Sequence, residues 1–186
     1  IWKEFSGDKA FAEVRKQVDP DGVDYEASTA YHRFVLEIVL SVTLLARESG
    51  HRVPSDVWRR LEGMSVAHRA MLRPDGTLPL IGDTDDGRFI VWGERPAVDG
   101  EYLLTVAAIC FENDLFAGGP PSDEAVWLFG RDGIERYREM AAASAPRESQ
   151  VFPDGDELHF GGDDALAGVV HLGDRGNARG RDAHAP

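Results

Sequence analysis

A single cysteine, Cys110, stands in the whole chain, which excludes an internal disulfide and any multi-cysteine zinc cage but leaves the redox compartment, and so export, open. Its neighbours Val106, Ala107, Ala108, Ile109 and Phe111 make it read as a buried thiol rather than a nucleophile. Basic residues are scarce as well: 20 Lys and Arg face 33 Asp and Glu, a formal net charge of -13. That balance, with no basic stripe, argues against a nucleic-acid surface and weighs mildly against a strongly sulfated polyanion as ligand. No run reaches the roughly 20 apolar residues of a bilayer span, because Phe34 to Ala46 is interrupted by Glu37, Ser41 and Thr43, so no membrane span is expected. Neither an initiator Met nor a charged-then-apolar leader opens the chain. It starts on Ile1-Trp2-Lys3-Glu4-Phe5, already readable as helix, so the true N-terminus and any export signal are expected upstream. His51, His68, His159 and His171 lack metal-ligand spacing, and no repeat recurs at a fixed period.

What is present is helical periodicity up to about Ala145. Trp2, Phe5, Phe11, Val14 and Val18 mark one face of a first helix, stopped by Asp19-Pro20-Asp21-Gly22. Ser28 or Thr29 then caps a long helix running to Glu48, apolar almost all round and ended by Ser49-Gly50. A third helix, Pro54 to about Leu72, pairs with it as a hairpin. A polar loop from Pro79 to Arg88 leads through a short strand, Phe89 to Trp92, to a fourth helix at about Gly100 to Glu112. Two shorter helical stretches follow, near Asp123 to Phe129 and Gly133 to Ala143. From Pro146 the texture turns to short strands between turns. The expectation is a mainly α fold, a partial (α/α) toroid of helical hairpins over residues 1–145, followed over 146–186 by the first strands of a β-rich domain, itself incomplete.

Two segments carry more specific information. Gln17 to Arg33 reads Q-x-x-x-D-G-x-x-x-E-x-S-x-x-Y-H-R, and one hairpin later Pro79 to Gly87 reads P-x-I-G-D-x-D-x-G. In that order and at that separation they resemble the signatures of the heparinase II/III-like polysaccharide lyases. Phe152-Pro153-Asp154-Gly155 and Leu172-Gly173-Asp174-Arg175-Gly176-Asn177 are similar to that family's passage into its β-sandwich domain.

The resemblance implies β-elimination at a uronic acid, in which the carboxylate is neutralised, a base removes the neighbouring carbon-bound proton, and an acid protonates the departing glycosidic oxygen. It implies an acidic polysaccharide as partner and a periplasmic or secreted parent protein; part of the family binds zinc, but this sequence gives that no support, so no cofactor is expected. It assigns the acid, and in some members also the base, to the tyrosine of Y-H-R, here Tyr31. Independently, the first turn of a long helix favours a developing negative charge, which would help a phenol reach phenolate. Plain packing of Tyr31 beside Val35 and Ile38 is the alternative. Arg33 is a candidate to hold a uronate carboxylate, or else an i,i+4 ion-pair partner of Glu37. Glu26 is a candidate for a sugar hydroxyl or for helix capping, His32, Asp83 and Arg88 are further substrate-binding candidates, and the loop that carries Asp83 is expected to brace the cleft. Asp83, Asp85 and Asp86 do not fit a calcium loop, because Arg88 stands where the EF-hand glycine belongs.

The family's charge-neutralising Asn or His would lie upstream of Trp2. Its second histidine stretch has at most a remnant in His184-Ala185-Pro186. The chain is therefore expected to be a piece that does not turn over alone. Other readings are a non-catalytic carbohydrate-binding or exopolysaccharide-assembly protein, an α/α hydrolase using Glu26 and Asp83 as its two carboxylates, and a bland helical fragment.

Overall fold

The computed structural model describes residues 2–26, 28–83, 85–141, 150–154, 157–159 and 169–171. Helix α1 (Trp2–Gln17) buries Phe11 and Val14 on one face and stops at a turn where Gly22 adopts φ 94°. Helix α2 (Thr29–Glu48) is capped by Ser28, whose hydroxyl accepts the Tyr31 N–H, and Gly50 at φ 71° follows its end. Helix α3 (Ser55–Met71) starts after Pro54 and seals Val57, Leu61, Met64 and Ala67 completely. Helix α4 (Glu101–Phe111) is the most apolar of all and packs on α5 (Asp123–Ala141), reached through one 3-10 turn at Asp114–Phe116. Successive helices are packed neighbours, and α1 also rests on both α2 and α3. The fold is thus mainly α, made of helical hairpins around one apolar core.

Three short strands follow, β1 (Gln150–Phe152), β2 (Glu157–His159) and β3 (Val169–His171), antiparallel in the order β1-β2-β3. Phe152 joins the helical core, and the Asp154 N–H donates to the Asp21 carboxylate at 2.7 Å, tying this segment to the α1–α2 turn. The expected domain boundary at 145/146 falls on residues outside those described, as does His184.

Two expectations change. Phe89 to Trp92 forms no strand. The short apolar run suggested one, but the N–H groups of Phe89 and Ile90 are taken by the Glu37 carboxylate instead of a neighbouring strand. The two helical stretches expected after residue 122 are present, parted at Gly130, whose non-helical φ 62°, ψ -162° is open to glycine alone. Helix α2, with a mean hydropathy of 1.3 over its most apolar window, has the length and composition of a membrane span after all. Over half of that window is buried inside the protein, where α1, α3 and α4 cover it.

One close approach fixes the α1–α2 turn to α3. A Cβ on Gly22 would lie 2.1 Å from the carbonyl carbon of Gly63, so the two backbones touch with no room for a side chain. Gly22→Ala is expected to cost at least about 3 kcal/mol, combining positive φ with a backbone clash. Gly50→Ala, at positive φ but with nothing within 4 Å, is expected to cost only about 1–2 kcal/mol. Urea midpoints at unchanged slope read both.

Candidate active-site wall

Among the described residues of 79–99, the loop between α3 and α4, none is in a helix or strand, yet α2 holds it closely along 79–90. The Thr29 hydroxyl donates to the Pro79 carbonyl at 2.6 Å and accepts the Ile81 N–H at 3.2 Å, while the Thr29 N–H donates to the Ile81 carbonyl. Ser28 donates to the Asp83 carbonyl. One turn further, the Arg33 Nη2 donates to the carbonyls of Gly87 at 3.0 Å and Asp85 at 3.5 Å. A turn beyond that, Glu37 accepts the N–H groups of Phe89 at 3.1 Å and Ile90 at 3.3 Å. The loop is a strap laid along the helix in parallel register, its backbone groups satisfied by side chains on successive turns.

This arrangement places the sequence candidates. Tyr31 is partly exposed in the first turn of α2 and borders a small cavity of about 140 Å³ lined by Ala30, Tyr31, Arg33, Phe34, Asp85 and Gly87. A larger groove of about 430 Å³ shares Ala30, Arg33 and Asp85 with it and extends along Leu78, Leu80, Asp86 and Val98. Its size falls in the range of small-ligand sites. The Tyr31 phenol therefore faces space rather than a sealed interior.

Its electrostatics reverse one expectation. The Asp83 carboxylate first, then partial loss of solvent, then Asp85 and Glu26 push the Tyr31 pKa above the ordinary tyrosine value. Three nearby anions thus disfavour the phenolate and favour the protonated phenol. Glu26 is exposed, its N–H bonded to the Asp24 carboxylate at 3.3 Å.

Arg33 is 1% exposed, and its Nε and Nη1 are buried with no hydrogen-bond acceptor among the described residues. Glu37, offered by spacing as its ion-pair partner, instead grips the strap and accepts the Tyr102 hydroxyl at 3.3 Å. Burial, then Glu37, pushes the Tyr102 phenol up to about 12, against the pull of Arg88 and Arg33. Arg88 lies 4.7 Å over the Tyr102 ring and donates to the Pro96 carbonyl at 2.9 Å, while Arg95 lies 4.4 Å over the same ring and pairs with Asp99 and Glu124. At the far end of the strap Trp92 stacks on Trp127 at 5.4 Å.

His32 is placed elsewhere. It is 1% exposed, its Nδ1 accepts the Asp24 N–H at 3.3 Å, its Nε2 donates to the Met64 carbonyl at 3.1 Å, and its ring stacks on His68 at 6.0 Å. Both ring nitrogens are engaged in holding the turn before α2 to α3, so its side chain is turned from the groove. Cys110 is held up to about 11 by burial, as expected of an inert thiol. Among the described residues no three His, Cys, Asp or Glu side chains gather to hold a metal ion.

Residues 1–93 match the family described as Heparinase II/III N-terminus. The chain belongs to the heparinase II/III family. The matched half contains α1, α2, α3 and the strap through Trp92, and with them Glu26, Tyr31, His32, Arg33, Asp83 and Arg88. No curated protein and no solved structure matches the chain. Within this family segment, sequence reasoning missed the grip of Ser28, Thr29 and Glu37 on the strap and the place of Asp85 beside Tyr31. The signal that was available is the run of polar residues on one side of an otherwise apolar helix.

Asp24 generates a pH prediction. It is 2% exposed, and burial raises its carboxyl from 3.8 to about 7. The folded protein therefore keeps a proton that the unfolded chain has released, so the stabilising contribution is complete below about pH 4 and is lost as pH rises toward 7. The loss is at most roughly 1.4 kcal/mol per pH unit across that window. Asp24→Asn, which mimics the protonated acid, is expected to flatten the fall in melting temperature between pH 4 and 7 and to be the more stable protein at pH 8. Parallel melting curves for the two proteins at all pH values would contradict this.

Proposed function

We propose that this chain contributes one wall of the cleft of a lyase that cleaves uronic-acid-containing polysaccharide by β-elimination, with Tyr31 as proton donor. The observation that carries the reading is a phenol at the edge of a groove, on the segment that matches the family. An acid must be loaded before it can protonate a leaving group, and at neutral pH this one is.

In the reaction, a base takes the proton on the carbon next to the uronate carboxylate. The electrons of that C–H bond form the new C=C bond as the glycosidic C–O bond breaks, and the departing oxygen takes the Tyr31 proton. The resulting phenolate, raised in basicity by the same three acids, is readily reprotonated from solvent. Arg33 and Arg88 supply positive charge behind the groove for the substrate carboxylate, while Asp83 and Glu26 stand where sugar hydroxyls would approach. His32 has a scaffold role in this reading. The acidic surroundings of Tyr31 disfavour the most sulfated polymers, since each added sulfate would meet the same three carboxylates. A polymer of this kind places the working protein in the periplasm or outside the cell.

The test is Tyr31→Phe in the full-length protein, assayed by the ultraviolet absorbance of the unsaturated uronate product. The expected result is a loss of at least about a hundredfold in kcat with binding retained, the usual scale for removing a general acid. Undiminished product formation would eliminate Tyr31 as the donor. Binding on a glycan array without cleavage by the intact protein would instead support a carbohydrate-binding protein, and a saturated reducing end would indicate hydrolysis.

A further inference from the structure

Two of the acids beside Tyr31, Asp83 and Asp85, sit on a strap whose described residues form no helix or strand, so their place depends on what fastens it. Its first part, residues 79–83, is held by Ser28 and Thr29 at the helix cap. Its second part depends on two buried side chains, Arg33 at 1% and Glu37 at 4% exposure. Arg33 reaches two carbonyls through one nitrogen. Glu37 takes three donors, the N–H groups of Phe89 and Ile90 and the Tyr102 hydroxyl, and thereby joins α2, the strap and α4 at one carboxylate.

We propose that Glu37 is a positioning residue: by anchoring Phe89 and Ile90 it sets where Asp85 stands relative to the Tyr31 phenol. The proposal rests on the reading of Tyr31 as proton donor and deepens it. Glu37 lies six residues beyond Tyr31 and lines neither the cavity beside it nor the groove, so its influence passes through the strap backbone. Replacing one carboxylate oxygen by an amide NH2 presents a donor to donors, so at least one of the two strap N–H groups loses its acceptor. The freed segment then swings from α2, and the Asp85 carboxylate it carries recedes from Tyr31.

The experiment uses the whole 186-residue chain with labelled tyrosine rings, the four tyrosines assigned by single Tyr→Phe changes, and amide hydrogen exchange. In Glu37→Gln, exchange at Phe89 and Ile90 is expected to quicken by about tenfold, the equivalent of one lost hydrogen bond. Exchange at Ile81, held by Thr29, is expected to stay unchanged, and the Tyr31 titration midpoint to fall toward the ordinary tyrosine value. Glu37→Asp keeps the charge but shortens the reach; it is expected to move the same two readouts in the same direction by less, and it decides the matter where the glutamine variant does not fold. A Tyr31 midpoint unmoved in the folded variants would overturn the proposal, as would exchange that quickens equally at Ile81 and throughout α3. No substrate is needed, so this outcome is independent of the Tyr31→Phe assay.

Discussion

The wall of the candidate cleft depends on a single constraint: an irregular backbone must have its polar groups satisfied, and here one helix satisfies them. Ser28, Thr29, Arg33 and Glu37 meet carbonyls and N–H groups of residues 79–90 in sequence, one helical turn at a time. An unpaired buried N–H or C=O costs on the order of 1–3 kcal/mol. Holding the segment this way offsets that cost without forming a strand. It also explains why two oppositely charged side chains four residues apart on α2 are both buried. They compensate one another through the strap rather than by direct contact.

The same helix has a second set of obligations on its other side. Leu36, Val39, Leu40 and Leu44 face the core, and His32 pins the preceding turn to α3, where the Gly22 and Gly63 backbones meet. Because α2 is immobilised from within, the side chains it offers outward are fixed in register. Tyr31 inherits that rigidity while remaining open to the groove. The site therefore follows a general pattern in which reactive groups stand on rigid elements and neighbouring loops are fastened to those elements.

Much of this was legible in the sequence, and the residues show why the rest was not. The Ser28 cap, the glycine stops at 22 and 50, and the helical limits of α2, α3 and α4 follow from local chemistry that needs no partner. Phe89 to Trp92 was read as a strand because a short apolar run registers side chains but not the fate of backbone groups, and that fate was decided by Glu37, 52 residues away from Phe89. His32 was offered as a substrate-binding candidate through the Y-H-R motif, but its two ring nitrogens are taken by Asp24 and Met64, backbone partners that only the fold brings together. The acidic setting of Tyr31 was hidden for the same reason as the strap: Asp83 and Asp85 are distant in sequence and adjacent only after folding.

Loops are normally where a chain tolerates gain or loss of residues. This one has a reading frame. Along the strap the partners of Arg33 are carbonyls and those of Glu37 are N–H groups, so a single residue added between 83 and 89 would displace the donors and acceptors from the matching charges. Length variation in such proteins has room instead beyond Ile90, in the turn toward Trp92 and Arg95, where no side chain of α2 keeps count.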